Sequence, residues 1–424
     1  MTTPRLLVAL AVAGSSAAGC TRASAGPRPA TAAPDSAAIR ADIQYLASPR
    51  LQGRLTGTAG NDSAAAYIAR RYAALKLVPV SPAYLQHFTA RPPSREAPAE
   101  ALPTQNVVAL LPGRDPVVRN QYVVIGAHFD HLGTSTDGAL DPDARDAVRL
   151  GADDNASGTA AVLELARIFA RSPARRSILL VNFSGEEQGT LGSLYFVDHM
   201  PVPIDSVDAM LNFDMVGRLR ADRLIVYGVA TATELTAILD SANTPPRLAI
   251  VAQGDGFGPS DQSSFYARSI PVLHFFTDLH DDYHRATDVA DKIDAAGEAR
   301  VVALAERVAR AIADRPSRLT FVRSAQPAPV ATREGTDVYL GTIPDMAGSD
   351  TPGLKLTGVR AGSPAELGGL RAGDVIVEFG GKPVKDLYEY SDALYSHKPG
   401  DVVSIVVLRG GQRTTVQVAL GKRG

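Results

Sequence analysis

The sequence has little of what staples a small domain or anchors a chain in a bilayer. Cys20 is the only cysteine in 424 residues, so no intrachain disulfide can form. Beyond the N-terminal stretch, no apolar segment reaches the ~20 residues needed to span a membrane as a helix. Neither sign of charge dominates. The net charge of -2 offers no electrostatic attraction to nucleic acid or to an anionic lipid surface. Internal repeats are also absent, which excludes solenoids and propellers. What is present is ample apolar material: 45% hydrophobic and 21% charged residues describe a soluble globular protein. Its 424 residues suggest two domains with short appendages.

The N-terminus reads as a leader rather than as part of the fold. Arg5 precedes an apolar run from Leu6 to about Gly14, and small residues follow, the layout of a secretory signal. Residues 1–25 hold this leader and the start of a tether, and the Ala/Pro/Ser-rich stretch 26–37 continues it. Two processing routes compete. Cys20 after "AAG" resembles a bacterial lipoprotein site, although Ala17 stands where leucine is usual. "ASA" at Ala23 to Ala25 offers ordinary cleavage that would discard Cys20. Both routes export the chain to the bacterial envelope (periplasm or outer membrane) or beyond it. Only the first adds a lipid anchor, at Cys20, and with it the sole contact with a membrane.

From residue 38 to 315 a single large domain is expected. Helical patterns "SAAIRADIQYLAS" and "AGNDSAAAYIARRYAALKL" flank the loop "LQGRLTGT", and strands and helices then alternate. "QNVVALLPG", "YVVIGAHFD", "SILLVNFSG", "DAMLNFD", "RLIVYGV" and "SIPVLHFF" read as strands. "SGTAAVLELARIFARS" and "GEARVVALAERVARAIAD" carry apolar residues at helical spacing. This pattern argues for an α/β fold with a mostly parallel central sheet flanked by helices. Residues 316–335 read as a linker. Residues 336–421, with short strands and Gly-rich turns, read as a small β-rich module.

Chemistry-bearing residues collect where the strand runs end. "GAHFDHLG" supplies His128, Asp130 and His131, and "GADDNASG" supplies Asp153 and Asp154. "NFSGEEQG" places Glu186 beside Glu187, "NFDMVG" gives Asp214, and "HDDYHRATD" gives Tyr283 and His284. Ligands of open α/β sheets bind at the carboxyl ends of the strands. A rim of His, Asp and Glu there has the donors of a nitrogen/oxygen metal site. Neighbours on an extended strand face opposite ways, so Glu186 and Glu187 should do different work. The same alternation puts His128 and Asp130 on one face and turns His131 away. Asp153 reads as a turn or helix-start residue, His274 in "VLHFF" as a core histidine, and His280 as pocket or surface. His87 and His199 have no partner motif.

Together these motifs, with "LQGRLTGTAG…AAAYIARRY" ahead of them, resemble the zinc-dependent M28 aminopeptidases, a zinc exopeptidase-like fold, over roughly residues 38–314. The resemblance implies two divalent metal ions, usually zinc, bridged by an aspartate and a water. It puts His128 and Asp214 on one ion, Glu187 and His284 on the other, and Asp154 between them. It also makes Glu186 the general base, Tyr283 a donor to the developing oxyanion, and Asp154–Asn155 a cis peptide. Asp130 would orient the His128 ring from behind. Two such ions about 3.5–4 Å apart acidify a shared water, and a free carboxylate beside it can move the proton. An N/O site of this kind also takes cobalt or manganese. "GPSDQSSF" departs from relatives that more often carry histidine at Gln262, which puts that position's substrate role in doubt.

"SPAELGGLRAGDVIVEFGG" resembles the PDZ domains of bacterial envelope proteases. That likeness implies a peptide carboxylate held by backbone N–H groups around Leu340 and Gly341, or a PDZ fold that only packs beside the catalytic domain. The whole implies an exported metallo-exopeptidase, an aminopeptidase acting on peptides with a free N-terminus, with peptide or protein C-termini as partners of the second module. The alternatives are a carboxypeptidase or glutaminyl cyclase on the same fold, or a PDZ-based binding protein whose hydrolase scaffold is silent.

Overall fold

The computed structural model describes residues 32–91, 101–136, 138–141, 144–256, 258, 260–323, 338–344, 352–359, 362–385 and 387–422. The leader with Cys20 and most of the expected linker lie outside these residues. No helix among them is long and apolar enough to cross a membrane.

Nine strands form the large sheet: β1 (Val78–Pro79), β2 (Leu85–Ala90), β3 (Leu102–Leu111), β4 (Tyr122–His128), β5 (Ser177–Phe183), β6 (Val207–Phe213), β7 (Arg223–Tyr227), β8 (Ala249–Ala252) and β9 (Val272–Phe276). The order is β1-β3-β5-β4-β6-β9-β7-β8, with β2 also on β3. β5, β4, β6 and β9 run parallel, and antiparallel pairs flank them, β3 on β5 and β7 on β9. The expected parallel sheet is therefore its centre, where both faces are covered. β5 and β6 are buried at every position, which is why they read as largely apolar runs rather than as alternation.

The helices are α1 (Ser36–Leu46), α2 (Ala59–Ala74), α3 (Gly158–Arg171), α4 (Leu191–Asp198), α5 (Leu235–Ala242), α6 (Gln262–Tyr266) and α7 (Ala295–Ala313). Asp35 and Thr58 cap α1 and α2, and Asp294 caps α7, each accepting backbone N–H groups of the first turn. One core joins α1, α2, α3, α5 and α7 to one face of the sheet. A second gathers Phe183, Phe196 and Phe265 with Val124 and Met210 on the other. Truncating a buried phenylalanine such as Phe183 to alanine costs about 3–5 kcal/mol. Strands β4 and β5 end in register, His128 opposite Phe183, so the loops that follow leave the sheet at one level.

The C-terminal module has strands β10 (Val338–Tyr339), β11 (Thr342–Pro344), β12 (Leu354–Val359), β13 (Val375–Phe379), β14 (Lys382–Pro383), β15 (Val402–Arg409), β16 (Gln412–Ala419) and β17 (Gly421–Lys422). Helices α8 (Pro364–Leu367) and α9 (Leu387–Tyr395) accompany them. Leu340, Leu356, Ile376, Phe379, Ile405 and Val407 form its separate core.

Candidate metal centre

Asp154 stands at the middle of the site and divides its two oxygens between two histidines. Oδ1 lies 3.4 Å from His128 Nε2, and Oδ2 lies 3.1 Å from His284 Nε2. Asp214 Oδ1 is 3.4 Å from the same nitrogen of His128. Glu187 Oε2 is 3.1 Å from that of His284. All five expected ligands thus come together as two clusters sharing Asp154. The peptide bond Asp154–Asn155 is cis, as the resemblance implies.

The surrounding backbone is tied down by side chains. Asn155 Nδ2 donates to the carbonyl of Phe213 (2.9 Å), and its Oδ1 accepts from Met215 N (3.2 Å) and Gly158 N (2.9 Å). The loop after β6 is therefore bolted to the loop that carries Asp154. Met215 and His284 both hold positive φ, 51° and 54°, a conformation that non-glycine residues keep only where surroundings enforce it.

Each ligand histidine has its Nδ1 against a carbonyl: His284 faces Gly138 O at 2.8 Å, and His128 faces Asp130 O at 3.2 Å. A carbonyl only accepts, so Nδ1 carries a proton and Nε2 is left facing the carboxylates. Against burial, Asp214 and Glu186 raise the pKa of His128 well above the usual imidazole range, and Glu187 and Asp154 do the same for His284. Carboxylates converging in a buried place thus draw in a cation, which is a proton on Nε2 or a metal ion that replaces it. Two ligand groups, His128/Asp154/Asp214 and His131/Asp154/Glu187, have atoms close enough to share an ion. The donor set fits divalent metal.

Electrostatics separate the adjacent glutamates. Burial pushes the Glu186 carboxyl well above the usual carboxylate range, and Asp214, Glu187 and Asp261 add to this against the pull of His128. Burial acts the same way on Glu187, but His284 and His131 outweigh it and hold that carboxyl well below. Glu186 Oε2 is 3.9 Å from His128 Nε2 and belongs to neither ligand group. Tyr283 stacks on His284 with ring centroids 3.9 Å apart. A cavity of about 240 Å³ is lined by His128, Asp154, Glu186, Asp214, Tyr283 and His284. Met215, Tyr227, Ser260, His274, Phe276 and Leu279 line it as well.

Several residues do other work than the sequence suggested. The Asp130 carboxylate lies 3.7 Å from His128 Nδ1, beyond a hydrogen bond. It is drawn instead to Thr56 Oγ1 (3.0 Å) and to the N–H groups of Glu186 (3.2 Å) and Glu187 (3.4 Å). Asp130 thus holds the glutamate loop, while its carbonyl meets the His128 ring. His131 does not turn away: β4 stops at His128, so strand alternation no longer governs it, and its Nδ1 lies 2.7 Å from Glu187 Oε1.

Asp153 does lie in the first turn of the helical stretch Ala152–Ser157 that leads into α3, and it has a second task. Buried completely, it accepts from Gly217 N (2.7 Å) and faces His280 Nε2 (3.1 Å). Asp288 escaped sequence reasoning, yet its carboxylate receives the N–H groups of both Asp153 (2.9 Å) and Asp154 (3.1 Å). The only sequence signal was its place in "HRATD", four residues past His284. His274 is buried as expected but also lines the cavity, and burial lowers its pKa to about 4. Gln262 stands outside that lining, its Oε1 accepting from Asn212 Nδ2 at 3.1 Å. His87 and His199 stand apart from the site.

In the C-terminal module, Leu340 is buried and its carbonyl accepts from Ala365 N (2.8 Å). Gly341 has φ +88°, and a Cβ there would come within 2.3 Å of Ser363 Cβ. Thr342 Oγ1 meets the Tyr390 hydroxyl at 2.6 Å, joining β11 to α9.

Residues 106–309 match peptidase family M28, and residues 333–420 match the PDZ domain. Over 190 residues the chain is 31% identical to leupeptin-inactivating enzyme 1 of Streptomyces exfoliatus, covering 44% of this chain and 38% of that one. The first curated relatives, described as probable zinc metalloproteases, share only 15% and 26% of their length with it. Among solved structures, BSAP, a zinc aminopeptidase from Bacillus subtilis, superposes with a TM-score of 0.55 at 16% identity, covering 66% of this chain and 96% of that one. Bacteroides thetaiotaomicron glutaminyl cyclase gives 0.54 at 16% identity, covering 66% and 99%. At such identities these structures speak for the fold alone.

Proposed function

This chain carries a peptidase family M28 domain followed by a PDZ domain, and from that premise we propose that it removes N-terminal residues from peptides by hydrolysis assisted by two zinc ions. One observation carries the reading: Asp154 splits its oxygens between His128 and His284, while Glu186 fronts the same cavity outside both ligand groups. His128, Asp214 and one oxygen of Asp154 would hold one ion, and Glu187, His284 and the other oxygen of Asp154 the second. When bound, the ions supply electrophilic polarisation and make water acidic enough to react near neutral pH.

The chain's own residues do the rest. Glu186 takes the proton of the attacking water and returns it to the departing amine. The hydrogen bonds from its loop to Asp130 keep that carboxylate in place. Tyr283 donates its phenolic proton to the carbonyl oxygen as negative charge develops there. The acidic rim favours a protonated α-amine over a blocked one. A cavity of about 240 Å³ lies below the ~300–1,000 Å³ of drug-sized pockets and suits one residue, with Met215, Tyr227, Phe276 and Leu279 in its lining. The second module would recruit peptide or protein C-termini through backbone N–H groups at Leu340 and Gly341.

The test measures bound metal and the products from matched free and N-acetylated peptides. Two zinc ions per chain with cleavage of free peptides alone support the proposal. Cleavage of blocked peptides, or pyroglutamate from N-terminal glutamine, replaces the reaction while keeping the site.

A further inference from the structure

His131 stands close enough to Asp154 and Glu187 to share an ion with them, yet the two-ion arrangement is complete without it. Its side chain is completely buried. Nδ1 lies 2.7 Å from Glu187 Oε1, whereas the other Glu187 oxygen faces His284 Nε2 at 3.1 Å. Asp154 Oδ2 is more distant, at 3.8 Å. His131 Nε2 is buried and has no hydrogen-bond partner among the described residues. These contacts favour a proton on Nδ1. A proton on Nε2 would leave a buried N–H unsatisfied and set the Nδ1 lone pair against a carboxylate oxygen. With the proton on Nδ1, the ring donates to Glu187 and only a lone pair is left over.

The ring has no freedom to leave that oxygen. It lies against Gly151, where a Cβ would come within 2.4 Å of His131 Cγ and 2.5 Å of Cδ2, and where φ is +61°. The edge of His284 packs nearby, with centroids 5.8 Å apart at 72°. The neighbouring Asp130 takes the Glu187 N–H at 3.4 Å. Two consecutive residues thus grip Glu187 at its backbone and at its carboxylate.

We infer that His131 is a positioning residue: by donating to one oxygen of Glu187, it leaves the other as a single-oxygen ligand aimed at the ion held with His284. The inference deepens the two-zinc reading and rests on it. The hydrogen bond removes one carboxylate rotamer and prevents both oxygens from closing on the same ion. Losing such an outer partner typically weakens metal binding by about 10- to 100-fold.

The experiment titrates zinc into metal-free wild type, His131→Leu and His131→Asn, with thermal midpoints of the metal-free forms measured alongside. The amide N–H of asparagine occupies the position of histidine Nδ1. His131→Leu should lose about 10- to 100-fold at one zinc site only. His131→Asn should recover most of that loss, with metal-free midpoints matching wild type. Unaltered binding by His131→Leu overturns the inference. Equal weakness in both variants overturns it too, because it would make the imidazole itself a ligand. A collapsed midpoint in both would make the role structural and overturn it as well. Nitrogen-15 NMR of the metal-free wild type separates this inference from its premise. A proton on Nδ1 of His131 is expected there, and its absence overturns the inference at any zinc count. A wild type that binds fewer than two ions defeats the two-zinc reading instead.

Discussion

Arg54 is the buried cation of the lead-in segment, and replacing it with methionine should be among the costliest single changes outside the metal ligands. Its guanidinium is fully buried and donates to four backbone carbonyls: Phe129 (2.7 Å), Leu46 (2.6 Å), Leu150 (2.7 Å) and Gly151 (2.9 Å). Burial pulls its pKa down to about 10, against the pull of Asp130, Asp154, Asp288 and Glu187, so it stays charged at neutral pH. Hydrogen bonds from a charged donor contribute about 1.5–3 kcal/mol each, roughly 6–12 kcal/mol for four. Desolvating the cation offsets several kcal/mol of that sum. Methionine keeps most of the apolar stem and strands four carbonyls, so the net loss should be about 3–5 kcal/mol. That is a large share of a typical total of about 5–15 kcal/mol. Urea unfolding of the metal-free protein measures it, with an unchanged slope confirming that the same surface is exposed. Because Arg54 also offsets the charge of the ligand acids, the loss should shrink when zinc is added. A destabilisation under about 1 kcal/mol would refute this account of the guanidinium as the peg joining the segment around α1 and α2 to the metal loops.

Glu186→Gln should keep the metal content of wild type while lowering turnover by about 10²- to 10⁴-fold; an unchanged rate removes the assigned base. Glu298 lies in the first turn of α7, fully buried with both oxygens unpartnered among the described residues, and burial, with Asp153 and Asp294 adding, raises its pKa well above 4.5. A raised acid pKa contributes stability at low pH that is lost as pH rises above about 4.5. Glu298→Gln should therefore stabilise the protein, by an amount that grows with pH; urea midpoints from pH 4 to 8 would sink the idea if the gain were flat. Deleting the chain after Arg323 keeps residues 318–323 on their partners in the large domain and should spare hydrolysis of short peptides; complete loss of activity would make the second module part of the active site.

What the sequence disclosed follows from which residues sit at interrupted patterns. His128, Asp214 and the Glu186–Glu187 pair were legible because each breaks an apolar run that β4, β6 or β5 buries. α3 and α7 were legible by helical spacing. β8 was not, since four residues at a sheet margin with mixed exposure carry no periodicity. Alternation turns His131 away, but that residue lies three positions beyond the strand that would enforce it. Asp153, His280 and Asp288 act on backbone N–H groups or on one another across more than a hundred residues of chain, and such pairings leave no local trace. Asp130 reads as a partner for a ring, and its carboxylate does stand 3.7 Å from His128 Nδ1, but the N–H groups of Glu186 and Glu187 lie nearer its oxygens.

The strand-end placement of the ligands has a further consequence. His128, Asp154, Glu187, Asp214 and His284 leave four separate strands and the turn before α3, so no two of the residues proposed to hold one ion lie close in sequence. An ion cannot template such a chain as it does a zinc finger, whose ligands are nearly adjacent and whose apo form is unfolded. It can only reward the finished sheet, adding about 2.7 kcal/mol at a hundredfold excess over Kd. Loading thus comes after folding. On the two-zinc reading, occupancy would then report the zinc available to a chain that has already folded.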